Sequence, residues 1–520
     1  MDTRFDPLLQ KYPSQRFPIY ARNGMVNCSS PQAAALTVVE PTANGIGSDA
    51  FALIWSAKDR RLYGLNSSGR APALASFERI LKDGKDVDGK MPVRGWTPVT
   101  VPGAPDAWAK ANARFGRLSL EEVLEPAIRY AGDGYPCAPN LSESWKASYQ
   151  FYRQTLTEPC FKAWFDTFAP WGRPYEAGDM IRLPDHAETL RLIGRTKAEA
   201  FYRGKLAERI DEESRKYGGY LRKEDLEAHS AEWVEPIRVN YRGYEVCEIP
   251  PNGQGIVALM ALNILKEFEL TGRDDPRTLH LQIEALKLAF ADAFFFVTDP
   301  HYMKVAYQNL LAPAYGAERA KLITDRAQVF TNGIPPKSGT VYLCAADHEG
   351  NMVSWIQSNY MGFGSGIVVG GTGIALQNRG ADFSLDPAHA NCIAPGKKTY
   401  HTIIPGFLMK DGMPVGPFGV MGGYMQPQGH VQVVSNYVDF RLDPQQALDA
   451  PRFQWMRDDT VTVEPRFDPN LALSLKRRGH RIRQELSVPS FGRGQMIVRL
   501  ENGVLVGGTE SRTDSNIACF

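Results

Sequence analysis

The spacing of apolar and polar positions divides the chain into three stretches. Near the front, Phe51-Ala52-Leu53-Ile54-Trp55 and Arg61-Leu62-Tyr63-Gly64-Leu65 are short apolar or alternating runs that predict strands. Residues 104–330 are mostly helical in pattern: Leu120 to Ile128 and Leu279 to Phe294 set apolar side chains three and four residues apart, on one helix face. From Gly339 the texture changes again. Runs over 340–346, 352–358, 403–409 and 495–500, separated by Gly, Asp and Asn, predict strands and hairpins, and Glu501-Asn502-Gly503 is a turn signal. Strands at both ends with helices between predict one sheet system covered by helices, an α+β body rather than independent domains. The one convincing linker runs from Val329 through Asn332-Gly333-Ile334-Pro335-Pro336 to Ser338.

Composition narrows the class. The chain has 520 residues, 43% hydrophobic and 22% charged, with a net charge of +1. That balance creates no bulk field toward nucleic acid or a membrane surface. The apolar run Gly255 to Leu262 is far too short to span a bilayer. The first twenty residues carry early acids and no apolar core, which predicts a cytoplasmic enzyme without a secretory signal. Seven cysteines are scattered without a CxxC pair, so no disulfide framework is expected. No HxxxH or HExxH spacing occurs among the nine histidines, and the glycine-rich stretch 362–373 has no GK[ST] ending; neither a metal nor a nucleotide cofactor is expected.

Chemistry first shows at Lys337-Ser338-Gly339-Thr340-Val341-Tyr342-Leu343-Cys344. If Asp347 to Asn351 is a turn, the register of the two strands sets Thr340 opposite Ser358 or Asn359. A threonine hydroxyl is a weak nucleophile. Its economical activator is its own α-amino group, which exists only if the bond after Gly339 is cut. Glycine before a threonine at the head of a strand is commonplace, so these two residues alone decide nothing.

An ordered series of motifs decides more. It includes Asn44-Gly45-Ile46-Gly47-Ser48-Asp49-Ala50-Phe51, Pro250-Pro251-Asn252-Gly253-Gln254-Gly255, Glu284 to Asp292, Asn378-Arg379-Gly380-Ala381-Asp382-Phe383 and Met421-Gly422-Gly423-Tyr424-Met425-Gln426-Pro427-Gln428. With these the chain resembles the γ-glutamyltransferase family of N-terminal-nucleophile hydrolases, over nearly its whole length. The resemblance implies a four-layer α/β/β/α sandwich, made as one precursor that cleaves itself between Gly339 and Thr340. Residues 1–339 become a large fragment and 340–520 a small one, each the other's partner, and a dimer of heterodimers is open to them. It implies Thr340 as nucleophile, Ser358 as the hydroxyl supporting the new amine, and the Gly422 and Gly423 N–H groups as the oxyanion hole.

For substrate binding the resemblance points to Asp382, with departures around it. Tyr360 stands where glutamyl-transferring members carry asparagine, Arg379 where they carry glutamine, and His401-Thr402 where they carry a serine pair. Arg70 lies near, but offset from, the family's carboxylate-binding arginine. An arginine fork suits a carboxylate, and pairing with Arg379 is expected to occupy part of Asp382. This combination resembles the oxamate amidohydrolase branch and implies a small anionic amide as substrate. Two other readings stay open: a γ-glutamyltransferase or glutathione hydrolase, and a catalytically weak binding protein. The chain also lacks roughly twenty residues after Ala34, about one core helix, relative to the family.

Overall fold

The computed structural model describes residues 11–14, 16–29, 36–330 and 339–519. The stretch after Ala34 where a shortening is expected, most of the linker before Gly339, and residues 1–10 lie outside these.

Two seven-stranded sheets dominate. The first runs, edge to edge, Asn516–Cys519, Gly24–Cys28, Gly339–Asp347, Met352–Tyr360, Asp49–Ser56, Arg61–Ser67, Glu232–Val234. The second runs Ile19–Ala21, Leu505–Thr509, Arg493–Arg499, Met413–Met421, Gly406–Lys410, Tyr244–Glu248, Ile237–Tyr241. The predicted strands at both ends of the chain are present, and they interleave. The hairpin headed by Gly339 is flanked by Gly24–Cys28 on one side and Asp49–Ser56 on the other. Front and back of the chain therefore share one body.

Period-two alternation explains how the sheets stack. In Asp49–Ser56, Phe51, Leu53 and Trp55 join a core with Tyr342, Ile356, Phe407, Met421 and Ile497, which come from both sheets. The alternate residues Ala50, Ala52 and Ile54 pack instead against Ala104 and Ala107 of the helix Ala104–Phe115. Both faces of this strand are covered, so it reads as an unbroken apolar run. Fully burying each such large side chain contributes about 1.5–3 kcal/mol. The outer face of the second sheet packs on the helices Gly255–Leu265, Pro276–Phe296 and Met425–Val438.

Local signals set the helix ends. Ser119 and Glu122 form a reciprocal capping box at the start of Leu120–Asp133. The Asp275 carboxylate accepts from the Arg277 and Thr278 amides at the start of Pro276–Phe296. Gly255–Leu265 is buried on every side, which accounts for its apolar run. Among the described residues no helix is long and apolar enough to cross a membrane. The mostly helical middle hides two departures: Tyr135–Pro136 pairs with Met180–Ile181, and 232–248 supplies three strands, of which Ile237–Tyr241 alternates buried and exposed positions as a half-covered edge strand does.

Candidate active site

Alternation along the central hairpin decides where Thr340 points. Val341 pairs with Gln357 and Ala346 with Met352, with an irregularity between Gly339 and Val341. Tyr342, Cys344, Met352 and Ile356 face the second sheet, so Thr340 and Ser358, of the same parity, also sit between the sheets. Both are fully buried, and the Thr340 hydroxyl donates to Ser358 Oγ at 3.1 Å. Of the two residues the register allowed, Ser358 is the neighbour; Asn359 turns away and accepts from the Ser48 hydroxyl. Ser358 Oγ also accepts from the Tyr360 amide at 2.8 Å, where Tyr360 has a φ of 77°. A bulky residue in that region is strained, and this hydrogen bond helps hold it there.

Facing this hairpin, the strand Met413–Met421 ends at Gly422 and Gly423, with φ of 136° and 60°. Side chains are disfavoured there, and a Cβ on Gly422 would meet Gly492 Cα at 3.2 Å. Their carbonyls accept from the Met425 and Gln426 amides, which turns the strand into the helix Met425–Val438. Gln426, the second residue of that helix, donates to Thr340 Oγ at 3.4 Å and accepts from the Ile404 amide at 3.0 Å. The helix thus ties Gly422-Gly423 to Thr340. Gln426 sits in a motif that the sequence displays, yet its contact with Thr340 depends on the two sheets meeting.

Arg379 is fully buried. Its Nη1 donates to Thr402 Oγ at 2.6 Å, and the guanidinium lies 4.3 Å over the Tyr360 ring. Its Nε and Nη2 have no hydrogen-bond partner. The expected pairing with Asp382 is looser than a hydrogen bond, at 3.8 Å. Instead the Tyr360 and Tyr424 hydroxyls both donate to Asp382 Oδ1, the latter at 3.2 Å, and Oδ2 is left without a partner. Burial pushes the Asp382 carboxyl up to about 6, against the pull of Arg379. Burial also lowers the Arg379 pKa. Burial therefore works against the charge on both members of this loose pair.

Two expected substrate contacts are corrected. His401 Nε2 bonds Asp49 Oδ2 at 3.0 Å, and its Nδ1 accepts from the Ile403 amide at 3.4 Å, so no ring nitrogen remains for a ligand. Asp49 also accepts from the Gly69 and Gly103 amides. Burial raises Asp49 to about 7 and, with the charge of Arg379, holds His401 well below its usual value. His401 is a neutral clamp between segments. Arg70 turns to the protein's own acids, Asp299 at 3.3 Å and Glu232 at 3.1 Å, where no expected site residue lies. Thr402, expected at the substrate with His401, accepts from the Arg379 guanidinium.

Cys344 is buried in the core. One trio escaped the sequence reading: His280, Glu284 and His480, whose ligand atoms lie within 4.8 Å of one another. Its atoms are already engaged. His480 Nε2 and His280 Nδ1 are 2.8 Å apart, His280 Nε2 donates to the Thr324 carbonyl, and the buried Lys287 ammonium bonds Glu284 at 2.7 Å. A cation among them would sit beside a fixed positive charge, which the arrangement does not favour.

Known proteins decide the family. The gamma-glutamyltranspeptidase family model matches residues 31–520. The chain belongs to that family. It is 34% identical over 490 residues to the glutathione hydrolase-like YwrD proenzyme of Bacillus subtilis, covering 92% of this chain and 91% of that one. It is 32% identical over 501 residues to the oxamate amidohydrolase proenzyme of Klebsiella pneumoniae, covering 94% and 92%. A solved cephalosporin acylase from Bacillus halodurans superposes with a TM-score of 0.94 at 52% identity, covering 99% of both chains. The chain is thus an enzyme of the gamma-glutamyltranspeptidase family, in which proenzyme hydrolases and acylases are found.

Proposed function

We propose that the chain is a self-processing amidohydrolase whose nucleophile is Thr340, acting on amides with a small anionic acyl half, oxamate being the simplest. The two stacked sheets with helices on their outer faces then constitute the α/β/β/α sandwich of N-terminal-nucleophile hydrolases. In the precursor, Thr340 Oγ attacks the Gly339 carbonyl carbon, the C–N bond breaks as the nitrogen takes a proton, and water hydrolyses the resulting ester. The products are a carboxylate on Gly339 and a free amine on Thr340. In the mature enzyme that amine takes the hydroxyl proton as Oγ attacks the substrate carbonyl, with Ser358 beside the reacting hydroxyl. The Gly422 and Gly423 amides hold the oxyanion. The leaving nitrogen departs with a proton, and water releases the acyl group as an acid.

The observation that carries the substrate reading is the pair of unpartnered donors on Arg379, a buried cation whose neighbour Asp382 lies 3.8 Å away, beyond hydrogen-bond reach. A substrate carboxylate satisfies both donors and charge. The unpartnered Asp382 Oδ2 favours a second reading, in which it receives the amino group of a γ-glutamyl substrate. Thr340→Ala should remain a single chain on a denaturing gel, while wild type and Thr340→Ser give fragments 1–339 and 340–520. Mature enzyme should then release ammonia from oxamate faster than glutamate from glutathione. A Thr340→Ala chain that cleaves as well as wild type overturns the nucleophile; a preference for glutathione selects the second reading.

A further inference from the structure

A cavity of about 960 Å³ opens beside Asp382. That is the size of a site for a drug-like molecule, roughly 300–1,000 Å³, and far exceeds an oxalyl-sized acyl half. Its lining begins where the candidate oxyanion loop ends, because Tyr424 follows Gly423 directly and lines the cavity with Asp382. Tyr424 belongs to an aromatic panel. Its ring stacks on Tyr400 at 6.0 Å and 14°, and Phe294 lies 5.8 Å from Tyr400 and 5.6 Å from Tyr424. Phe295, next along the helix Pro276–Phe296, lines the same cavity and is 61% exposed. A ring left open beside such a panel gains contact area from a planar guest.

Charge gives the guest a second feature. Lys90 and Lys304 line the cavity, both exposed, and neither is paired with a carboxylate among the described residues. Two acids line the cavity as well: Asp382, whose Oδ1 accepts from the Tyr360 and Tyr424 hydroxyls, and Asp386, which accepts from the Ala388 amide at 2.9 Å. Both acids are bonded within the protein and, among the described residues, the two ammonium groups are not, so an anion is best met at Lys90 and Lys304.

We infer that the half of the substrate released as amine is a planar aromatic ring bearing an acidic group, laid against Phe294, Tyr400, Tyr424 and Phe295 with its anion at Lys90 and Lys304. This rests on the reading of Thr340 as nucleophile and Arg379 as the anchor of the acyl half. Hydrolysis breaks the amide C–N bond, water supplies the hydroxyl to the acyl carbon, and the arylamine leaves with the proton.

Matched amides test it. Oxamate, oxanilate and 4-carboxyoxanilate share one acyl half; glutamine and γ-glutamyl anilide form a second matched pair. For wild type, kcat/KM should rise from oxamate to oxanilate to 4-carboxyoxanilate. Because an anilide is intrinsically more reactive, the decisive quantity is the change caused by substitution. Phe295→Ala should lower the oxanilate-to-oxamate ratio about tenfold. Lys304→Glu should lower the ratio of 4-carboxyoxanilate to oxanilate. Unchanged ratios in both variants overturn the inference while leaving the oxamate reading intact. If the oxalyl amides are inert but the glutamyl anilide shows the Phe295-dependent advantage, the amine-half inference holds and the anionic acyl reading falls. Cleaved protein inert toward all five amides overturns both.

Discussion

Arg379→Gln is the sharpest test of how the acyl half is held. The substitution removes a fully buried cation and its 2.6 Å bond from Nη1 to Thr402 Oγ, and leaves an amide at about the reach of Nε. Wild type offers two unpartnered N–H groups, Nε and Nη2, to a substrate carboxylate. Charge-assisted hydrogen bonds contribute about 1.5–3 kcal/mol each, and a neutral glutamine bond retains about 1 kcal/mol. The net loss is about 2–5 kcal/mol, or roughly 30- to 4,000-fold in kcat/KM on oxamate. Stability should change little. The fold loses the cation resting 4.3 Å over the Tyr360 ring, an interaction of about 1–2 kcal/mol, and is relieved of a buried charge. Asp382, already raised to about 6, then binds a proton more readily. The assay compares ammonia release from oxamate and from oxamide, its neutral isostere, alongside denaturant melts. Oxamate turnover within twofold of wild type refutes the assignment, and so does an equal loss on oxamide, which marks general damage to the site.

Ser358→Ala leaves the buried Tyr360 amide without its acceptor, so a denaturant melt should show a loss of about 1–3 kcal/mol, and turnover should fall well beyond what the lost folded fraction explains; unaltered turnover sinks the role of Ser358. Asp382, near 4 in an unfolded chain and about 6 when folded, binds a proton on folding between those values. Its contribution is full below about pH 4 and is lost as pH rises through about 6, about 3 kcal/mol in all. Asp49, raised to about 7, adds a slope of the same sign, so Asp382→Asn should reduce, not abolish, the fall in stability between acid and neutral pH, and an unaltered slope contradicts the buried carboxyl. Lys287→Met leaves Glu284 charged and buried without its partner at 2.7 Å and should cost about 3–5 kcal/mol, most of it recovered by adding Glu284→Leu; a single-variant cost under about 1 kcal/mol refutes this.

What could be read from the sequence was what repeats along a chain. A strand's side chains alternate, so a turn at Asp347 to Asn351 was enough to narrow the residue opposite Thr340 to Ser358 or Asn359, and apolar spacing was enough to find Leu120–Asp133 and the strands at either end. The Gly422-Gly423 pair stood out only through its place in the family's motif series, and its left-handed backbone is what the structure adds. The partner of each buried polar group was not legible. His401 and Asp49 are 352 positions apart in the chain, and only the stacking of two sheets brings them to 3.0 Å. The same stacking puts Gln426 on Thr340, gives the Asp382 oxygens to two tyrosines, and leaves Arg379 with open donors. Arg70 had a plausible sequence position and was claimed by Asp299 and Glu232. Spacing encodes periodicity because covalent geometry repeats at each residue. A buried charge or hydroxyl takes whichever partner packing delivers, since leaving it unpaired is costly, and that partner is decided by the tertiary fold.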